Sequence, residues 1–174
     1  MLNPFATETV TFETPVAMLI ACHDRVRHYA ALTETLVSHV AKNGADAAAI
    51  AGASAILRYF DVAAPLHHQD EDEDLFPAML PLATPELAQA IREIMAEHDE
   101  LGLLWQKVRA ALLALVAGND NELTPELAAE FAQRYPAHAA REEDEIYPYA
   151  KALLSAGQLH ELGTKMAARR GQKV

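Results

Sequence analysis

Hydrophobic residues recur at intervals of three to four positions along four long stretches of the chain, with short polar segments between them. This period is that of an amphipathic α-helix, and it predicts four long helices that each have one buried face. In the first stretch, the predicted inner face consists of Leu19, Val26, Leu32, Leu36 and Val40. His23 falls on the same face, so we expect a buried histidine in the first helix.

Capping residues, prolines and glycines predict where these helices begin and end. Thr14, Thr84 and Thr124 each precede a proline, a pattern typical of an N-cap followed by proline in the first helical turn. Gly44 and Gly157 are expected to stop the first and the fourth helix. The predicted helices cover residues 15–42, 47–80, 85–117 and 125–156.

Four helices joined by short loops predict an all-α fold, an up-down-up-down four-helix bundle. A chain of 174 residues is long enough for one domain with a substantial core. We assign residues 1–13 to an N-terminal arm, residues 14–157 to the bundle, and residues 158–174 to a short C-terminal helix with a basic tail.

Composition indicates which classes of partner and which cellular compartment to expect. The formal net charge of −11 argues against nucleic acid as a partner. The single cysteine, Cys22, excludes an internal disulfide and fits a reducing compartment. The first residues have no basic flank followed by an apolar segment, and no apolar run is expected to approach the ~18 residues that span a bilayer. We therefore expect a cytoplasmic protein without a membrane partner.

A His-x-x-x-Glu motif lies in the second predicted helix. His67 and Glu71 are four residues apart, so their side chains project from one helical face. An imidazole nitrogen and a carboxylate oxygen on one face form half of a site for a first-row metal ion. A single motif of this kind is more often a surface ion pair.

This motif is repeated 71 positions later together with its neighbours. The first copy contains Phe60, Pro65, His67, Glu71, Phe76 and Pro77, and the second contains, in the same order, Phe131, Pro136, His138, Glu142, Tyr147 and Pro148. Two lone histidines, His23 and His98, lie 75 positions apart, and each precedes an aspartate. The chain therefore reads as two helical hairpins, and two matched copies favour a metal site over surface ion pairs.

Two of the repeated prolines lie in the middle of predicted helices. Proline in a helix interior removes a backbone hydrogen bond at a cost of about 3 kcal/mol. Pro65 and Pro136 each precede a motif histidine by two residues, so a kink there would turn that histidine toward the bundle axis. The simpler interpretation is that these prolines only separate two helices.

The motifs resemble those of the hemerythrin-like, or HHE cation-binding, family over most of the chain, from about residue 15 to about residue 154. Members of that family are four-helix bundles with two non-haem irons between the helices. The resemblance implies that His23, His67, His98 and His138 supply nitrogen ligands and that Glu71 and Glu142 bridge the metals. The implied cofactor is two iron ions, and these donor types also leave manganese or zinc open.

One departure from the oxygen-carrying hemerythrins concerns the third helix. Those proteins place a His-x-x-x-His there, whereas Gly102 stands four residues after His98. They also end on a His-x-x-x-x-Asp, where this chain has Glu143 at that spacing and Glu142 one residue earlier. The set of four histidines and two glutamates resembles more closely the hemerythrin-like domains of iron-sensing and iron-sulfur-repair proteins.

Other polar residues near the motifs admit simpler interpretations. His68 has the same spacing to Asp72 as His67 has to Glu71, but the repeat favours His67 because the counterpart of His68 is Ala139. Tyr29, Tyr59, Tyr135 and nearby carboxylates are candidates to hold the ligating imidazoles. The remaining acids are expected to form a solvated face or a metal-entry path: Asp70, Asp72, Glu73, Asp74, Glu143, Asp144 and Glu145.

Three functions are compatible with this sequence. The first is a di-iron protein that handles or senses oxygen, nitric oxide, peroxide or iron. The second is a di-iron enzyme that turns over peroxide or nitric oxide, or that repairs iron-sulfur clusters. The third is a metal-free helical scaffold, which the complete set of six residues argues against. The predicted partner is a small diatomic ligand or peroxide; the sequence identifies no protein partner and allows a homodimer.

Overall fold

The part of the chain that the structure describes folds into four long helices and two shorter ones. The structure, a computed structural model, describes residues 10–119 and 122–173. The helices are α1 (Pro15–Asn43), α2 (Ala47–Leu82), α3 (Pro85–Val116), α4 (Pro125–Glu145), α5 (Tyr147–Leu153) and α6 (Ala156–Arg169), and the described residues contain no strand. Residues 10–13 precede α1 without forming a helix, and the rest of the predicted arm lies outside the described residues.

The first four helices pack as an up-down-up-down bundle, which confirms the predicted fold. Each contacts its neighbours in the chain, and α4 closes the bundle against α1. Sequential neighbours joined by short loops must run antiparallel, so each helix can place one face toward a shared centre. The short C-terminal helix α6 packs across α1 and α2.

Side-chain caps fix the starts of three of the four long helices. Asp46, Thr84 and Thr124 each accept a hydrogen bond from the backbone N–H three residues later, at 2.8 to 3.3 Å. Such caps typically contribute about 1 kcal/mol each. Thr14 differs, because its hydroxyl donates to the Thr11 carbonyl at 3.1 Å and makes no cap.

The end of the fourth predicted helix is wrong in position. The helix ends at Glu145, Ile146 leaves the helical conformation with φ −124°, and α5 follows. Pro148 has no N–H to continue the helix, which explains a break at this point. Ser155 then starts α6 through a capping box with Gln158. Gly157, predicted as a stop, therefore lies in the first turn of a new helix.

Helix α2 stays continuous through its prolines by widening. Ala64, which precedes Pro65, donates to the Tyr59 carbonyl, and Phe76, which precedes Pro77, donates to the Glu71 carbonyl. These i to i−5 bonds define two π-helical turns, Tyr59–Ala63 and Glu71–Leu75. Such turns are frequent at functional sites. Neither Pro65 nor Pro136 separates two helices, although no wide turn accompanies Pro136.

The hydrophobic core has two parts, one toward each end of the bundle. One part contains an aromatic cluster of Phe60, Trp105, Phe131 and Tyr135 with ring centroids 4.8 to 5.7 Å apart. The other part includes Leu19, Phe76, Met79, Ile91, Ile94 and Ile146. Each large apolar side chain buried in this way contributes roughly 1.5–3 kcal/mol. Between the two parts lies a layer of buried polar side chains.

Helix α2 is also apolar enough, by length and composition, to cross a membrane, with a mean hydropathy of 1.3 over its best window. This corrects the expectation that no apolar run in the chain is long enough to span a bilayer. The bundle-facing side of α2 buries Ile56, Phe60 and His67, as a core helix does. Core helices of soluble proteins meet the same length and composition criterion.

Candidate metal centre

The buried polar layer brings together the six predicted residues. Helix α1 supplies His23, α2 supplies His67 and Glu71, α3 supplies His98, and α4 supplies His138 and Glu142. All six side chains are buried, with exposed fractions between 0 and 6%. The i, i+4 spacing of each motif places its histidine and glutamate on the inner face of one helix.

Glu142 lies between two groups of histidines. Its Oε2 is 3.1 Å from His23 Nε2, and its Oε1 is 3.1 Å from His138 Nε2 and 3.3 Å from His98 Nε2. The Nε2 atoms of His23 and His67 are 2.9 Å apart. One carboxylate thus faces an α1–α2 pair of imidazoles with one oxygen and an α3–α4 pair with the other.

Glu71 also lies between the two histidine groups, on the α2 side. Its Oε2 is 3.5 Å from His67 Nε2 and 3.6 Å from His98 Nε2. Its other oxygen, Oε1, accepts a 2.5 Å hydrogen bond from the Tyr147 hydroxyl. Tyr147 is buried, stacks on His23 with the ring planes 12° apart, and places its hydroxyl 3.4 Å from His23 Nε2.

Three of the four imidazoles donate a hydrogen bond from Nδ1 to a carboxylate. His23 Nδ1 donates to Glu143 at 2.8 Å, His98 Nδ1 to both oxygens of Asp72 at 2.9 Å, and His138 Nδ1 to Glu97 at 2.9 Å. A donated Nδ1–H leaves the Nε2 lone pair directed into the cluster. This is the arrangement that orients metal-ligating histidines and makes them more basic.

Two of these acids occupy equivalent positions in the internal repeat, and each contacts a histidine of the other hairpin. Asp72 and Glu143 each come directly after a motif glutamate and are 71 positions apart. Asp72 on α2 holds His98 of the second hairpin, whereas Glu143 on α4 holds His23 of the first. The two hairpins therefore orient each other's lone histidine.

The fourth imidazole breaks this symmetry. His67 Nδ1 is buried and has no hydrogen-bond partner among the described residues. The residue that holds His138 is Glu97, and the position 75 residues before Glu97 is Cys22. A cysteine offers no carboxylate at the corresponding position. Burial also raises the pKa of the Cys22 thiol, so the thiol stays neutral.

The atoms that face the centre of the cluster fit a cation. Glu71 Oε2, Glu142 Oε2 and His138 Nε2 are buried and have no hydrogen-bond partner among the described residues, although other nitrogen and oxygen atoms lie 3.1 to 3.6 Å away. Lone pairs that face each other away from water are unfavourable unless a proton or a metal ion lies between them. Imidazole and carboxylate donors suit a divalent first-row ion.

Comparison with known proteins agrees with this geometry. A model of the family described as "Hemerythrin HHE cation binding domain" matches residues 14–150, which include all six residues. The chain belongs to the hemerythrin HHE cation-binding family. It is also 34% identical over 163 residues, 94% of each chain, to a Haemophilus influenzae protein described only as an uncharacterized protein. Family membership and the buried cluster together indicate a hemerythrin-like protein that binds a metal ion.

The two glutamates of this hemerythrin-like cluster ionise differently in the metal-free chain. Burial, and then the neighbouring charge of Glu142, raise the pKa of Glu71 well above its usual value. Burial opposes ionisation of Glu142 as well, but the imidazoles that surround its carboxylate, those of His138, His23 and His98, hold its pKa well below its usual value. Glu71 therefore keeps a proton where a cation would otherwise balance the charge.

The histidines also differ in the metal-free chain. Burial alone would lower the pKa of His98, but hydrogen bonds with Asp72 and Glu142 outweigh it and raise this pKa to about 9. Burial, and then repulsion from His23, lower the pKa of His67 to about 3. At neutral pH, His98 therefore carries a proton that a metal ion would have to displace.

Metal binding should accordingly release protons and strengthen with rising pH. Since His98 binds metal only when neutral, we expect affinity to increase up to about pH 9, by about tenfold per pH unit for each proton displaced. Calorimetric titration with Zn²⁺ in two buffers of different ionisation enthalpy measures the protons released. Asp72→Asn removes the carboxylate that raises the His98 pKa, so this variant should release fewer. An affinity that does not change between about pH 6.5 and about pH 8.5 would contradict this assignment.

Several residues around the cluster have roles that differ from the predictions. The hydroxyls of Tyr59 and Tyr135 donate to the backbone carbonyls of Cys22 and Leu101, and neither holds a cluster imidazole. Asp72 and Glu143 hold His98 and His23, a role predicted for carboxylates near the motifs, and both are half-buried rather than part of a fully solvated face.

The acids on the other side of α2 are paired with cations and do not line an open path. Asp70 is fully buried against Arg169 and Arg170, and Asp74 contacts Arg169 and Lys165. These contacts attach α6 to α2 beside the motif glutamate, Glu71. Asp144 and Glu145 are exposed, as predicted.

Proposed function

We propose that this chain is a non-haem di-iron protein that handles or senses oxygen, nitric oxide, peroxide or iron. The observation that carries the proposal is the position of Glu142, with one oxygen toward His23 and the other toward His98 and His138. A carboxylate with an imidazole group on each side is suited to bridge two ions. Iron is the metal that the family resemblance favours, and manganese or zinc would use the same donors.

The six buried residues have distinct roles in this proposal. His23 and His67 would hold one ion, His98 and His138 would hold the other, and Glu71 and Glu142 would contact both. Two carboxylates offset part of the charge of two divalent ions. Six side chains shared between two ions leave each with open coordination positions, so the bound irons would supply a redox-active centre accessible to a small ligand.

Protein groups would control the protons and water around that centre. The Tyr147 hydroxyl lies against Glu71 and His23 and holds a proton inside the cluster. Burial raises the pKa of Tyr147 well above its usual value, so the phenol stays protonated. The aromatic and aliphatic core parts on either side of the polar layer exclude bulk water.

Exposing the reduced, iron-loaded protein to each candidate ligand tests this function. We expect about two irons per chain and an absorption change on oxygen or nitric oxide that reverses when the gas is removed. Replacing the exposed His160 with alanine serves as the control and should leave both unchanged. Protein that binds no iron when prepared in iron-replete medium would contradict the proposal.

An enzyme that turns over peroxide is the second candidate, and Tyr147 favours it. A buried phenol hydroxyl beside a ligand carboxylate can donate a proton to a reduced oxygen species. Peroxide consumption above that of free iron, and its loss in Tyr147→Phe with iron content retained, would favour turnover. Equal consumption by free iron would favour a binding or sensing role.

The cellular setting of this function is also a proposal. A buried iron site and a single cysteine fit the reducing cytoplasm, and the formal net charge of −11 favours neither nucleic acid nor an anionic membrane as a partner. The direct partner would be the small ligand itself.

A further inference from the structure

One histidine outside the six lies against the α3–α4 side of the cluster. The His68 ring stacks on His98, with centroids 4.1 Å apart and planes 10° apart, and meets the His138 ring edge-on at 5.8 Å. One nitrogen of His68 lies within 4.8 Å of a nitrogen of each of these two histidines. Three imidazoles thus converge on the side of the cluster that faces α3 and α4.

The position of His68 follows from the helix that carries it. Successive residues of an α-helix project about 100° apart, so neighbours on α2 can address different sides of the bundle centre. His67 points toward His23, with their Nε2 atoms 2.9 Å apart, whereas His68 points toward His98. Adjacent histidines on one helix therefore serve the two halves of the cluster separately.

Position 102 of the third helix, four residues after His98 and on the same side of that helix, carries no side chain. Gly102 lies one turn after His98 on α3, and a Cβ atom built there would meet no other atom within 4 Å. The helix thus offers no second donor beside His98, and the space next to position 102 is open. The counterpart of His68 in the repeat is Ala139, so the corresponding extra imidazole is absent from the His23–His67 half.

We propose that His68 is a fifth nitrogen ligand, which binds the same ion as His98 and His138 and substitutes for a donor that α3 lacks at Gly102. The inference rests on the proposed two-metal function and adds an asymmetry to it. One ion would have three imidazoles, and the other would have two. The His68 and Gly102 variants below separate this arrangement from a role in ring packing alone.

Packing is the competing role, because His68 also stacks parallel to Tyr135, with centroids 6.4 Å apart. His68→Phe keeps an aromatic ring at this position and removes both nitrogens. A packing residue would tolerate that change, whereas a ligand would not. His68→Ala removes the ring and the nitrogens together.

Titration of the metal-free protein with Co²⁺ measures the affinity and the coordination spectrum of each ion separately. We expect His68→Phe and His68→Ala to lower the affinity for one of the two ions by about 10- to 100-fold and to leave the affinity for the other unchanged. A loss of this size is typical even when only a residue that supports a ligand is removed. His28→Ala, a change at an exposed histidine of α1, should bind both ions as the unaltered chain does. Unfolding of the metal-free variants reports whether the fold is intact.

A second substitution tests the geometric argument. Gly102→His in the His68→Ala background should return the weakened ion toward its original affinity, because an imidazole at position 102 would reach the cluster one turn from His98. Two ions bound by His68→Phe with unaltered affinities and spectra would overturn the inference and leave the two-metal proposal intact. Failure of the unaltered chain to bind Co²⁺, Zn²⁺ or iron at this cluster would overturn both.

Discussion

Glu142→Gln is expected to weaken the binding of both metal ions by about 100-fold or more. Glu142 is the residue whose two oxygens face the two histidine groups, at 3.1 Å from His23 on one side and 3.1 Å from His138 on the other. Glutamine keeps the shape of the side chain but removes the negative charge and one of the two oxygen donors. Since the same carboxylate would serve both ions of the proposed centre, we expect the affinity for both to fall. Elemental analysis of iron-grown protein, with calorimetric titration of the metal-free form, measures the loss.

A glutamate on the same helix provides the matched control. Glu126 is exposed in the first turn of α4, far along the chain from the cluster, so Glu126→Gln should retain both ions. Loss of one ion only in Glu142→Gln would show that Glu142 is a ligand of a single ion. Retention of both would show that it is no ligand at all. Circular dichroism of the metal-free variants checks that the helices remain.

Removing Arg169 and Arg170 together should destabilise the metal-free protein by about 3–5 kcal/mol. The Asp70 carboxylate is fully buried and accepts hydrogen bonds from Arg169 at 2.9 Å and from Arg170 at 2.7 Å. Without the two guanidinium groups, a buried negative charge has no cation beside it. The expected consequence is a lower free energy of unfolding, measured with denaturant, and detachment of α6 from α2.

Charge replacement at Asp70 tests the cause of this loss. Asp70→Asn in the Arg169→Ala, Arg170→Ala background should recover part of the stability, because the side chain left behind is neutral. The control is the double variant Arg92→Ala with Lys107→Ala, which also removes two positive charges. Both residues are exposed on α3, so this variant should change the free energy of unfolding by no more than about 0.5 kcal/mol per site. A stability loss no larger than in this control would show that the arginines contribute little.

The internal repeat explains why the cluster could be predicted from the sequence. Matched His-x-x-x-Glu motifs in matched proline and aromatic surroundings select His67 and His138 from eight histidines, and helical periodicity places His23 on a buried face. A bundle of four amphipathic helices brings such faces together at its centre. These features depend on local spacing, which a sequence displays directly.

The residues that hold the imidazoles could not be predicted in the same way. Asp72 and Glu143 lie within acidic runs, and what distinguishes them is the histidine of a neighbouring helix that each one meets. That contact depends on the rotation and offset of packed helices, which periodicity does not determine. Glu97 was missed for the same reason, although its place beside His98 in the sequence was a usable signal.

The two π-helical turns of α2 and the break before α5 could not be predicted from the positions of the prolines alone. Each of these features lies next to a proline, but the outcomes differ. Pro65 and Pro77 are each preceded by a π-helical turn, Pro136 lies in a regular helix, and among these four prolines only Pro148 lies at a helix break. The difference lies in what surrounds each proline. At Pro148, α5 begins after Ile146 without a side-chain cap, and the capping box of Ser155 and Gln158 starts the next helix, α6.

Anomalous X-ray diffraction at the iron absorption edge, from crystals of iron-grown protein, shows whether two irons lie in the buried polar layer. We expect two iron peaks inside the bundle, one beside His23 and His67 and one beside His98 and His138, with Glu142 in contact with both. No peak in the buried layer, or peaks only at surface acids such as Asp144 and Glu145, would contradict it.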